Sequence, residues 1–310
     1  MPFSTGANAR IRTNSASELA YNALALANRD ISQQQLRLST GKRINNAADD
    51  VAGFITSRAL QARNGLLKAS LNIVGDARNV TNIALDAYEN ISTMIVNIRE
   101  STANASSGAQ GTSEKVALAK SAYRFIQQIQ TIVDSTVFGG RQIIDGTYSS
   151  NFIVGTDAIN TLLSIAIDLN PDNVDFDIEN DFKVNSMSET NFAGIQGLDL
   201  REFNDVNSTD LGIFSDENMG TTLKSLANAL DNVTKVSAYI GGITNRLISQ
   251  EEIVQQQVVN YNAAISRIED TDVAKSQLSL VKSQFLQQAS ITSLAQSNQN
   301  PNVFLQLIRQ

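Results

Sequence analysis

ITSRALQARNGLLKASLNIVGDARNVTNIALDAYENISTM, residues 55 to 94, reads as one unbroken helix with an apolar repeat. Steps of alternately four and three residues pick out Ile55, Ala59, Ala62, Leu66, Ala69, Ile73, Asp76, Val80, Ile83, Ala87, Asn90 and Met94, all apolar but Asp76 and Asn90. Such a heptad seam gains its stability by lying against another helix. The stretch from Leu223 to Ile268 offers a partner of matching length, with Leu226, Val233, Ile240, Leu247, Val254, Tyr261 and Ile268 at seven-residue intervals. Two long helices so far apart in sequence pair only if the chain runs out and returns.

Working outward from this pair, a shorter seam precedes it at Ala20, Leu24, Ala27, Ile31, Gln34 and Leu38. Gly41 supplies its stop, because glycine takes the left-handed conformation that ends helices. Residues 42 to 53, KRINNAADDVAG, form a polar connector whose Asp49 and Asp50 suit the positive start of the next helix. After the long helix, residues 101 to 112 are small and polar with two glycines and make a turn. Val116, Ala119, Tyr123, Ile126, Val133 and Val137 then mark a third seam, which Gly139 and Gly140 interrupt.

The periodicity changes in residues 141 to 220. Residues 152 to 155 (FIVG) and 162 to 169 (LLSIAIDL) are rich in branched side chains, and residues 174 to 178 (VDFDI) alternate with period two, so all three read as strands. Beyond the return helix, residues 269 to 272 (EDTD) restart a helix whose seam is Ala274, Leu278, Val281, Phe285 and Ala289, with Leu280, Ile291 and Leu294 on a second face. Asn300-Pro301 interrupts it before the apolar close at residues 303 to 308, VFLQLI. Residues 1 to 10, small and polar with Pro2 and Gly6, are expected to fray. The fold class read from this pattern is mainly α. It is a long antiparallel coiled-coil bundle with a small β-containing outer segment and with N- and C-terminal helices paired.

Composition narrows function. The 310 residues include 3 Pro and neither Trp, Cys nor His. Thiol and imidazole catalysis, disulfides and the usual zinc sites are therefore excluded, and no carboxylate spacing singles out an acid–base pair. An enzyme is not expected, nor a cofactor or a metal. The net charge of -7 is unevenly placed, at +3 over residues 1 to 100, -11 over 101 to 220 and +1 over 221 to 310. An acidic middle discourages nucleic-acid binding. No run is apolar enough to insert in a membrane, and the start lacks the apolar core of a secretory signal. The apolar C-terminal segment and the thin N-terminal seam have little core to join within one chain, which suggests that they order on assembly.

Residues 38 to 45 (LSTGKRIN) followed by 47 to 53 (AADDVAG) resemble the N-terminal signature of the bacterial flagellins. Residues 266 to 272 (SRIEDTD), 286 to 289 (LQQA), 294 to 296 (LAQ) and 307 to 309 (LIR) resemble their C-terminal signature, and residues 138 to 155 resemble the family's first hairpin region. The resemblance implies a filament subunit. Residues 1–41 and 271–310 would be inner-tube helices, with Leu24, Ile31, Leu38, Leu278, Val281, Phe285, Leu294, Phe304 and Leu307 as assembly positions. Residues 42–54 would be the connector, with Gly41, Arg43, Asn45, Asp49, Asp50 and Gly53 as its key positions. Residues 55–140 and 221–270 would form the outer bundle, and 141–220 the solvent-facing segment.

The resemblance further implies type III export without a cleaved signal, extracellular residence in the flagellum, and many copies of the chain as partners. An export chaperone, the export apparatus, the filament cap and hook-associated proteins complete the expected partners. Residues 95 to 104 correspond to the stretch that Toll-like receptors recognise in many flagellins. Arg99 and Glu100 fit, whereas Asn97 and Asn104 stand where arginine and glutamine are expected, which implies a weak agonist. Two other readings stay open. The hook-filament junction protein shares the terminal pattern, and a signalling coiled coil shares the long Ala- and Gln-rich heptads, although without a β-rich centre.

Overall fold

A computed structural model describes residues 13–156, 162–185 and 190–308. The first ten residues, expected to fray, lie outside the described residues, as does Arg309. In chain order the helices are α1 (Ser15–Thr40), α2 (Val51–Ala105), α3 (Thr112–Ser135), the one-turn α4 (Glu202–Asp205), α5 (Met219–Glu269) and α6 (Val273–Ile308). The strands are β1 (Val137–Phe138), β2 (Arg141–Gln142), β3 (Ser149–Thr156) and β4 (Leu162–Asp168). The contacts divide the chain into two compact units, residues 1–64 with 259–310 and residues 65–258, to both of which α2 and α5 contribute.

Local chemistry sets the boundaries. The Asn14 side chain accepts from the Ser17 amide at 3.1 Å and caps α1, and Gly41 ends that helix at φ 69°. The Asp50 carboxylate accepts from the Gly53 amide at 2.9 Å and caps α2, as Asp272 does for α6 through the Lys275 amide at 3.0 Å. Gly139 and Gly140, at φ 60° and 81°, form the two-residue turn between β1 and β2. Two consecutive positive φ values match the twist of an antiparallel hairpin. β3 and β4 form a second antiparallel pair, with an irregularity between Ile153 and Gly155.

In the unit of residues 65–258, α2, α3 and α5 bury one continuous apolar core. Val80, Ile91, Ile95 and Ile98 of α2 meet Ala122, Ile126 and Ile129 of α3 and Leu226, Val233, Ile240 and Leu247 of α5. The acidic middle joins this core through aromatics. Phe176, Phe182, Phe192, Phe203 and Phe214 are all buried, and Phe176 stands edge-on to Tyr239 of α5 at 5.2 Å between ring centres. Its charge is therefore a surface property, and beneath it lies an aromatic layer fixed to the helices.

Three expectations are corrected here. Asn300 and Pro301 do not interrupt the last helix, since α6 runs through them to Ile308. Residues 174 to 178 are not a strand. They make a single 3-10 turn, Val174–Phe176, closed by Asp177 at φ 53°. The Asn173 side chain accepts from the Asp175 amide at 3.0 Å and starts the turn, so Phe176 enters the core while Val174 points to solvent. The seam of α2 lies mostly one or two positions beyond the expected one. Of the twelve residues of the repeat only Val80 and Ala87 are buried, whereas Ser57, Asn64, Val74, Ala77, Ala84, Ile91 and Ile95 are. Alanines complete the expected repeat but remove little area from water, and the larger Ile91, Ile95 and Ile98 decide which face turns inward. The α5 seam is as expected, with Leu226, Val233, Ile240, Leu247 and Val254 buried.

Candidate assembly surface and connector

The unit of residues 1–64 with 259–310 has its polarity reversed relative to an ordinary core. α1 and α6 pair along their length. From α1 the contact uses the expected face, with Ala20 and Ala27 buried and Leu24, Ile31 and Leu38 half-buried. From α6 it uses Ser283 and Ser297, both buried, with Leu280 and Leu294 half-buried. Polar contacts fix the alignment. The Ser297 hydroxyl donates to Asn14 Oδ1 at 3.2 Å, Ser17 donates to Asn298 Oδ1 at 2.8 Å, and Gln287 donates to Asn28 Oδ1 at 2.6 Å.

Most of the large apolar side chains of α6 point the other way. Leu278 is 71% exposed, Phe285 74% and Val281 50%, and Leu286 and Ile291 join them, as do Leu19, Tyr21 and Leu26 of α1. The expected α6 seam is thus the outward face of the helix pair, and small serines permit the close inward approach. Phe304 and Leu307 belong to the last turns of α6, where side chains lie outside the described residues. The same reversal continues on α2, where Val51, Ile55 and Leu66 are exposed while Ser57 and Asn64 are buried. Asn64 donates to Asn262 Oδ1 of α5 at 2.6 Å.

All six expected connector residues come together. The Gly41 carbonyl accepts from the Thr271 amide at 2.9 Å, and the Arg43 amide donates to the Glu269 carbonyl at 2.6 Å, so residues 41 to 43 pair antiparallel with residues 269 to 271. The Arg43 guanidinium donates to the Ile268 carbonyl at 2.8 Å and lies 3.7 Å from Asp50. Asn45 donates its amide to Asp49 Oδ2 at 2.9 Å and its side chain to the Lys42 carbonyl at 3.0 Å. Asp49 therefore organises the turn rather than the helix start. Backbone donors from Asn46 and Asn45 hold its carboxyl below the ordinary value, aided by Gln33 and Arg37. Gly53 has no room for a side chain, since a Cβ there would stand 2.5 Å from Asp50 Oδ2 and 2.7 Å from the buried Ile44 Cδ1.

One residue of this cluster was visible in sequence only as part of a helix restart. Glu269 is 4% exposed. Its carboxylate accepts from Gln61 Nε2 at 2.6 Å and pairs with Lys42 Nζ at 3.0 Å. Burial pushes its pKa up, but Lys42, Ser57 and Arg58 outweigh burial and hold it below the ordinary glutamate value. Polar residues at the helical spacing Ser57, Gln61 and Asn64 are the sequence signal that α2 has a polar inner face here. Elsewhere, the proposed receptor-facing residues lie on α2, with Arg99 and Glu100 exposed and Asn97 half-buried. Among the described residues no helix is long and apolar enough to cross a membrane.

Comparison with known proteins adds to this geometry. Residues 11–149 match the model of the bacterial flagellin N-terminal helical region, and residues 223–308 match that of the C-terminal helical region. The chain is 30% identical to a flagellin of Bacillus subtilis, over 97% of its own length and all of that protein. It is 27% identical to a flagellin of Halalkalibacterium halodurans, over 88% of its length and 90% of that protein. Among solved structures, a flagellar hook-associated protein of Vibrio parahaemolyticus superposes with a TM-score of 0.54 at 12% identity, over 72% of this chain and all of that one. At that identity the likeness concerns the fold alone.

Proposed function

Because the chain belongs to the bacterial flagellin family and is a subunit of the flagellar filament, we propose that α1 and α6 complete their folding on assembly, as the inner coiled-coil tube of that filament. The single observation that carries this reading is the reversed polarity of the terminal helices. An isolated pair whose buried contacts are alanine and serine and whose inner leucines are only half-buried gains little from burial, while Leu278, Val281, Phe285 and their outward neighbours remain in water. Each large side chain covered by a neighbouring subunit contributes about 1.5 to 3 kcal/mol before ordering costs. Leu24, Ile31, Leu38 and Leu294 hold α1 and α6 together, and Leu278, Val281, Phe285, Phe304 and Leu307 meet neighbouring copies. Gly41, Arg43, Asn45, Asp49, Asp50 and Gly53 set the path between tube and outer layer.

Leu278→Asp and Phe285→Asp are expected to abolish polymerisation, read by sedimentation, while circular dichroism of the long-helix bundle is unchanged. Normal filaments from either variant would contradict the assignment. The remaining partners follow from the same reading. The chain leaves the cell through the type III apparatus, kept unassembled by an export chaperone, and is added beneath a filament cap on hook-associated proteins, so that it resides outside the cell. With Asn97 in place of an arginine, it acts as a weak Toll-like receptor agonist. A reporter-cell response equal to that of an arginine-bearing Asn97→Arg variant would contradict this.

A further inference from the structure

Glu269 joins three segments at once. Its side chain reaches Gln61 of α2 at 2.6 Å and Lys42 of the connector at 3.0 Å, and its carbonyl holds the Arg43 amide at 2.6 Å. The charged groups about it are Lys42 and Arg43 from the connector, Asp50 and Arg58 from α2, and Arg267 and Asp270 beside it in the chain. Asp50 is already engaged by Arg43 and by the Gly53 amide. Glu269 is nearly buried whereas Lys42 is half-exposed, so losing the Lys42 charge leaves the carboxylate poorly compensated, while a freed Lys42 turns to water.

We propose that Glu269 is an acid-released latch. Ionised, it fastens the connector to the ends of α2 and α5; protonated, it frees Lys42 and lets residues 41 to 43 part from 269 to 271. Because its pKa is depressed in the folded state, the latch is at full strength above the ordinary glutamate pKa, about 4.3, and is lost as pH falls through the lower folded value. The inference rests on the filament reading, since its visible consequence is dissociation of the polymer.

The test is the pH midpoint of filament dissociation, followed by sedimentation for the unmodified chain, Lys42→Met and Glu269→Gln. Lys42→Met removes the cation that favours ionisation, so its midpoint moves toward neutral pH. Glu269→Gln removes the titrating group, so its dissociation loses part of the dependence on pH. Midpoints and slopes that coincide in all three proteins overturn the proposal. A second measurement separates it from the filament reading. In the unpolymerised chain at neutral pH, Glu269→Gln is expected to lower hydrogen-exchange protection of the Arg43 and Thr271 amides about tenfold. Unchanged protection overturns the latch whether or not filaments form, whereas failure of the unmodified chain to polymerise counts against the filament reading alone.

Discussion

Gly53 shows how closely one residue can be constrained. Its neighbours Asp50 and Ile44 occupy the space a methyl group would take, and Asp50 is there because it caps α2. Gly53→Ala therefore forces the cap apart and is expected to cost about 1 to 2 kcal/mol, read as a lower urea midpoint for the connector amides in hydrogen exchange. Asn232 is a second fixed point. From α5 it donates to the Ala193 carbonyl at 2.8 Å, where Ala193 and Gly194 both take positive φ. Asn232→Leu leaves that buried carbonyl unpaired and should lower stability by about 1 to 3 kcal/mol in urea unfolding. At this scale the sequence was partly readable. Gly41 announced its left-handed cap, since few other residues accept that conformation. Asp49 and Asp50, adjacent and alike, gave no sign that one closes a turn while the other caps a helix. Glu269 could not be distinguished from the acidic residue next to it, because only the fold brings Lys42 and Gln61 to it.

Among the elements, α2 is the most instructive, because it has one apolar face packed against α3 and α5 and a second stripe, Val51, Ile55 and Leu66, that is exposed. The contrast is testable. Val80→Asp places a charge in the core of α2, α3 and α5 and is expected to unfold that bundle, a loss above about 4 kcal/mol. Leu66→Asp, on the exposed stripe, should leave thermal unfolding of the free chain within about 0.5 kcal/mol of the unmodified protein and reduce its polymerisation. Equal destabilisation by the two would mean that the outward face is part of the monomer core. Helices were legible from periodicity because a four-three repeat leaves few alternatives. Their facing was not, since counting Ala59, Ala62 and Ala69 as equals of Leu and Ile shifts the inferred seam. Residues 174 to 178 misled for a related reason: alternation resembles a strand, but Asn173 offers the backbone a turn instead.

For the molecule as a whole, the two compact units follow opposite rules. Residues 65–258 bury mainly aliphatic and aromatic side chains, whereas among the described residues of 1–64 with 259–310 the buried set is Ala20, Ala27 and Ile44 with Ser57, Asn64, Glu269, Ser276, Ser283 and Ser297, and leucine and phenylalanine are exposed. The first is the pattern of a self-sufficient fold, and the second fits the proposal that copies of the chain cover this surface. Sequence alone revealed the helical class and, through two terminal signatures, the family. It did not reveal the reversal, because a seam and an outward stripe have the same spacing. The most direct measurement is seeded polymerisation of the purified chain on short filament fragments, followed by sedimentation and electron microscopy. Long filaments of uniform width, lost in Leu278→Asp and Phe285→Asp, are the predicted result. Soluble protein that only decorates fragment ends, or filaments indifferent to both substitutions, would contradict it.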